Sequence, residues 1–194
     1  MAPGLIPEPL SGAAAMGAGR YAASIEQVHA RFVAHPDLSG SATRAEIWSD
    51  WIKATDVLRR VLPVACVWLG GSFTTDKLDA GDMDCLYWLD FDEVARAQLS
   101  GDDARNVLGL FASNGLKQPG IDMKVDTFIA SWRSIPEPYL ADSLDWKYYR
   151  DRGHWDDWWQ RRRSPLTEAG ELPTRIDSLP RRGYLEVELD GFTG

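Results

Sequence analysis

Residues 64–69 (VACVWL) and 83–89 (MDCLYWL) are two almost unbroken apolar runs, parted by the polar, glycine-broken stretch GGSFTTDKLDAGD. A strand with one wet face alternates apolar and polar side chains, whereas a strand covered on both faces stays apolar throughout. Runs this short suit strands better than helices. The chain is therefore expected to place two strands inside a sheet that carries helices on its faces.

The remaining punctuation supports that layout. Ile25, Val28 and Phe32 have helical spacing in residues 24–34. Thr43-Arg-Ala-Glu46 has the form of a capping box. Behind it Ile47, Trp48, Trp51, Ile52, Val57, Leu58, Val61 and Leu62 mark one face of a long helix that Pro63 stops. Asp92 is expected to cap a helix through Leu99, and Asp102 another through Ala112. Residues 124–130 (KVDTFIA) read as a third strand. Residues 183–189 (GYLEVEL) alternate, as an edge strand with its glutamates in water would. The expected fold class is α/β (α+β), a mixed β-sheet flanked by helices. Residues 1–22, rich in Ala, Gly and Pro and without a basic leader, are expected to be a flexible N-terminal segment. One domain is expected over 23–194, with 140–194 as a helical and edge-strand extension.

Composition narrows the partners. The 194 residues, 44% hydrophobic and 26% charged, include no stretch of the roughly 18 apolar residues a membrane helix requires. A net charge of −8 argues against indiscriminate coating of nucleic acid. Residues 145–182 are locally basic, with nine Lys/Arg against seven Asp/Glu. Cys66 and Cys85 sit in apolar runs, without metal-ligand spacing, which fits a reducing cytoplasm. His29, His35 and His154 are scattered. Nine tryptophans are many for this length. Trp48, Trp51, Trp68 and Trp88 fit a core. Residues 154–163 (HWDDWWQRRR) suit either an amphipathic helix packing Trp155, Trp158 and Trp159 inward, or aromatics and arginines turned to a nucleotide.

Asp82 and Asp84 open the second apolar run, at positions i and i+2 that project from one face of a strand. Two like charges beside apolar neighbours repel and resist desolvation. A hard divalent cation removes that cost and commonly binds one or two carboxylates together with substrate phosphates. Just upstream, Gly70-Gly71-Ser72 ends the first strand, where small residues let a phosphate approach the backbone. Either feature alone is ordinary: Asp-x-Asp usually marks a solvated strand end, and glycines make turns. Their conjunction, in this order between two strands, is the specific signal. Thr75 and Lys77 either reach phosphate or simply build the turn.

Leu69-Gly70-Gly71-Ser72-Phe73, the spacer 73–81 and Asp82-Met83-Asp84-Cys85 resemble the signature of the DNA polymerase β-like nucleotidyltransferase superfamily. The wording GSFTTDKLDAGDMD is similar to a small bacterial and phage branch of toxin–antitoxin and defence type. The close match covers about twenty residues, and a looser similarity spans residues 41–190. The resemblance implies a polymerase β-like fold and two Mg²⁺ ions. It also implies an NTP donor, with ATP the first expectation, and transfer of NMP with release of pyrophosphate. It assigns Asp82 and Asp84 as catalytic metal ligands, and Gly70, Gly71, Ser72, Thr75 and Lys77 to the nucleotide. A third acid is implied on a neighbouring strand; Asp126 is the first candidate and Asp122 the second. The short tail resembles minimal transferases that modify a partner protein or tRNA. The alternative is a non-catalytic nucleotide- or partner-binding module, such as an antitoxin held against its toxin.

Overall fold

A computed structural model describes residues 6–7, 15–164 and 170–192. Its strands are β1 (Gly19–Ala22), β2 (Val64–Gly70), β3 (Met83–Asp90), β4 (Val125–Trp132) and β5 (Gly183–Glu188). They form one mixed sheet in the order β1-β5-β2-β3-β4, parallel at β1/β5 and β3/β4 and antiparallel on both sides of β2. The helices among the described residues are α1 (Ile25–Phe32), α2 (Arg44–Arg59), α3 (Phe91–Ser100), α4 (Asp102–Ala112) and α5 (Ser143–Gln160). The chain is thus an α+β protein with a mixed sheet flanked by helices. None of these helices is long and apolar enough to cross a membrane.

Two cores explain the unbroken apolar runs. Val67 and Leu69 of β2 and Cys85, Tyr87 and Leu89 of β3 pack on one face against Phe32, Trp51, Leu58 and Phe111, drawn from α1, α2 and α4. Cys66, Trp68, Leu86 and Trp88 face the opposite way, onto Trp159 of α5 and Tyr184 of β5. Both side-chain sets of each run are therefore buried. Each large apolar side chain so covered contributes roughly 1.5–3 kcal/mol.

Several local expectations are corrected. Thr43 makes no capping bond: its Oγ1 donates to the Ala80 carbonyl at 2.8 Å, and Glu46 pairs with Lys124 instead. The Ser41 hydroxyl accepts from the Thr43 and Arg44 amides, so the start of α2 is tied by Ser41 and by contact with the loop before β3. Helix α2 ends at Arg59, Val61 and Leu62 fall in the turn that follows, and Val57 is 39% exposed. Capping boxes form elsewhere, at α1, where Ser24 and Gln27 exchange backbone and side-chain bonds, and at α5, where Asp142 and Asp145 do the same. Asp90, not Asp92, caps α3, accepting from the Asp92 and Glu93 amides, because the helix begins directly where β3 ends. Asp102 is the first residue of α4, and Gly101 holds the cap position.

The two ends of the chain differ most from expectation. Strand β5 lies between β1 and β2 rather than at the edge. Residues 19–22, within the segment expected to be flexible, form the edge strand β1, and Met16 is 2% exposed. Gly183 permits this, since a Cβ there would stand 2.5 Å from the Gly17 carbonyl oxygen and from the Tyr21 ring. Glu186, expected in water, accepts from Trp68 Nε1 at 2.7 Å and pairs with Arg20. On α5, Trp159 is buried and Trp155 packs beside it, while Trp158 stays 54% exposed. The amphipathic packing therefore holds for two of the three tryptophans.

Candidate metal centre

Strand register assembles the acids. Asp84 of β3 is the parallel partner of Asp126 of β4 and the antiparallel partner of Gly70 of β2, so all three positions project from one face. Asp82 stands just before β3. One carboxylate oxygen from each of Asp82, Asp84 and Asp126 lies within 4.8 Å of the others. The group sits at one end of the sheet, on the face that α5 covers. Asp122 is elsewhere: it is exposed, at φ 53°, and its Oδ2 accepts from the Gly120 amide.

Two cations face these acids. Lys117 Nζ bridges Asp82 Oδ2 at 2.6 Å and Asp126 Oδ1 at 2.5 Å. Partial burial works against the Lys117 charge, but its bonds to Asp126 and Asp82 outweigh that and hold its pKa above the ordinary lysine value. Asn114, in the left-handed conformation, donates from Nδ2 to Asp126 Oδ1 at 2.7 Å and accepts the Thr127 amide on Oδ1, which orients the Asp126 carboxylate. Arg182, just before β5, donates to the Gly71 carbonyl at 3.2 Å. Burial pushes the Asp84 carboxyl up to about 6, with repulsion from Asp82 and Asp126 adding to it and Arg182 and Lys117 opposing it.

The turn residues divide by role. Gly71 has φ 73°, and a Cβ on it would stand 2.6 Å from Asp84 Oδ2, so both its backbone and its lack of side chain are required. Gly70 instead yields room to protein: its Cβ would meet Trp159 Nε1 at 2.9 Å and Arg182 Nη2 at 3.2 Å. Ser72 Oγ donates to the Asp82 carbonyl and accepts the Gly81 amide, closing the two ends of the spacer on each other. Thr75 Oγ1 donates to the Ser72 carbonyl and accepts the Lys77 amide, which is turn building, and Lys77 is exposed. The loop is held from below by Arg44 of α2, 1% exposed. Its guanidinium donates to the carbonyls of Phe32, Phe73, Thr75, Lys77 and Leu78 at 2.6–3.1 Å.

A cavity of about 600 Å³ opens beside Gly71 and Asp84, walled by Phe128, Trp158, Trp159, Arg161, Arg175 and Arg182. Arginine beside an exposed indole suits a phosphate-bearing, stackable ligand. Three half-buried carboxylates offer hard oxygen donors that fit a divalent cation. Lys117, Asn114, Arg182 and Arg44 were not marked by any motif. Asn114-Gly115 signals a turn, but no motif spacing in the sequence relates Lys117 or Arg182 to the acids.

Comparison with curated proteins and with solved structures finds no match. A family model, described as a family of unknown function (DUF6932), matches residues 10–188. With nearly the whole chain matched, the protein belongs to this family of unknown function.

Proposed function

We propose that the protein is a Mg²⁺-dependent nucleotidyltransferase that moves an NMP from an NTP, with ATP the expected donor, to a macromolecular acceptor. A protein side chain or a tRNA is the expected acceptor, in a toxin–antitoxin or phage-defence setting. One observation carries this reading: Asp82, Asp84 and Asp126 converge beside the left-handed Gly71, at the mouth of a basic, aromatic cavity. The free buried thiols of Cys66 and Cys85 suit a reducing cytoplasm.

The roles follow from position. Asp82, Asp84 and Asp126 would hold Mg²⁺. When bound, the ion lets the carboxylates stay ionised together and draws charge from the α-phosphate. Asp126, oriented by Asn114, takes the proton of the acceptor hydroxyl. That oxygen bonds to the α-phosphorus, and the bond from the α-phosphorus to the oxygen bridging to the β-phosphate breaks, releasing pyrophosphate. Arg182 and Arg161 offer positive charge to the phosphates, and the exposed indole of Trp158 receives the base.

The test is incubation with each α-³²P-labelled NTP, Mg²⁺, and lysate or total tRNA. Label on a protein or RNA band is expected with the unaltered protein, and none with Asp84→Ala of intact fold. Equal labelling by Asp84→Ala would overturn the site. One observation favours the second reading, a nucleotide- or partner-binding module without transfer: Lys117 already bridges Asp82 and Asp126 and offsets one of their two charges with protein charge alone. Stable co-purification with one partner and no label from any NTP would select that module.

A further inference from the structure

We propose, on the metal reading of the triad, that the site takes one divalent cation and that the Lys117 ammonium stands in for a second. Its Nζ lies 2.6 Å from Asp82 Oδ2 and 2.5 Å from Asp126 Oδ1, joining acids from two separate segments as a shared ion does. These are close, charge-assisted contacts.

Lys117 is aimed there by its surroundings. It ends a 3₁₀ turn (Gly115–Lys117) whose preceding residue, Asn114, is anchored by its side chain to both Asp126 and the Thr127 amide. Leu116, next to it, is 5% exposed in the main core, and its carbonyl accepts the Met123 amide at 3.0 Å. A lysine on such a turn is presented to the acids by the fold, unlike a free surface lysine searching many rotamers.

The remaining acid is treated differently. Asp84 makes no ion pair with Lys117; it lines the cavity with Gly71 and Arg182. Three ionised carboxylates against Lys117 and Arg182 leave one net negative charge. One divalent ion reverses that to a single positive charge, which attracts a triphosphate. A second ion beside an ammonium already seated between Asp82 and Asp126 meets direct repulsion and has lost its ligands. Asp84, with an oxygen of a flanking acid, is where the single ion belongs.

Counting ions tests this without recourse to activity. Bound Mn²⁺, a hard oxygen-seeking substitute for Mg²⁺, is titrated by electron paramagnetic resonance with the protein alone and with adenosine α,β-methylene triphosphate. The wild type and Lys117→Arg should saturate at one ion per chain, and Lys117→Met at two. Lys117→Gln serves in its place if circular dichroism shows Lys117→Met unfolded. Two ions in the wild type, or one in both the wild type and the neutral variant, would overturn the role of Lys117 and leave the metal centre standing. No ion in any of these proteins, with or without the analogue, would overturn both.

Discussion

At the scale of single residues, the acids are a liability to the metal-free fold. The Asp84 carboxyl, at about 6 instead of 3.8, binds a proton more readily in the folded chain than in the unfolded one. Stability therefore falls as pH rises from 3.8 to about 6, and the full penalty is present above that window. Its size is on the order of 3 kcal/mol, which for a chain of this length is roughly 6–12 °C in Tm. Asp84→Asn should raise the Tm of the metal-free protein by several degrees at pH 8 and leave it nearly unchanged at pH 4, in calorimetry at both values. Mg²⁺ should raise the wild-type Tm more at pH 8 than at pH 5, because only the ionised acid attracts it. A lower Tm for Asp84→Asn at pH 8 would show that Arg182 and Lys117 already outweigh the burial.

At the scale of elements, the sheet depends on a strand from the start of the chain. β1 pairs with β5 in parallel from Gly19/Gly183 to Ala22/Glu186, and its approach is tied by the Gly183 amide donating to the Met16 carbonyl. Without β1, the edge of β5 would present unpaired backbone beside the apolar Tyr184, Leu185 and Val187. A variant lacking residues 1–22 should lose several degrees in Tm and associate at micromolar concentration, as light scattering behind size exclusion would record. A monomer of unchanged Tm would mean that β5 tolerates life as an edge strand, as its alternating GYLEVEL pattern by itself implies.

At the scale of the whole molecule, both cores share β2 and β3. Trp68 and Trp88 serve the α5 side, while Val67 and Tyr87 serve the other. Neither face can lose its packing without exposing strands that the other face needs, so the chain should unfold as one unit. In urea, tryptophan fluorescence, which is weighted toward the Trp-rich α5 face, and far-ultraviolet circular dichroism should trace the same midpoint. An earlier fluorescence transition would identify α5 as a separable layer, and with it the cavity wall formed by Trp158 and Trp159.

What could be known from the sequence follows the range of the forces involved. The apolar runs of β2 and β3, the helix stopped before Pro63 and the spacing of Asp82 and Asp84 depend on side-chain period and backbone sterics within a few residues, and these are written locally. The sequence also marked Asp126 as lying within a β run, but only the parallel register of β3 and β4 brings it beside Asp84. Caps depended on neighbours: Thr43 left its helix amides for the Ala80 carbonyl, and Asp90 took the role that Asp92's place in the sequence had implied. Lys117, Arg182 and Arg44 lie from nine to more than a hundred residues from the groups they serve, joined to them by strand register, turn geometry and burial. Local propensity marked the strands and helices that the sequence foretold, while β1 formed only by pairing with β5. Tertiary pairing alone decided which charges meet, because a charge seeks its partner across space, whatever the distance along the chain.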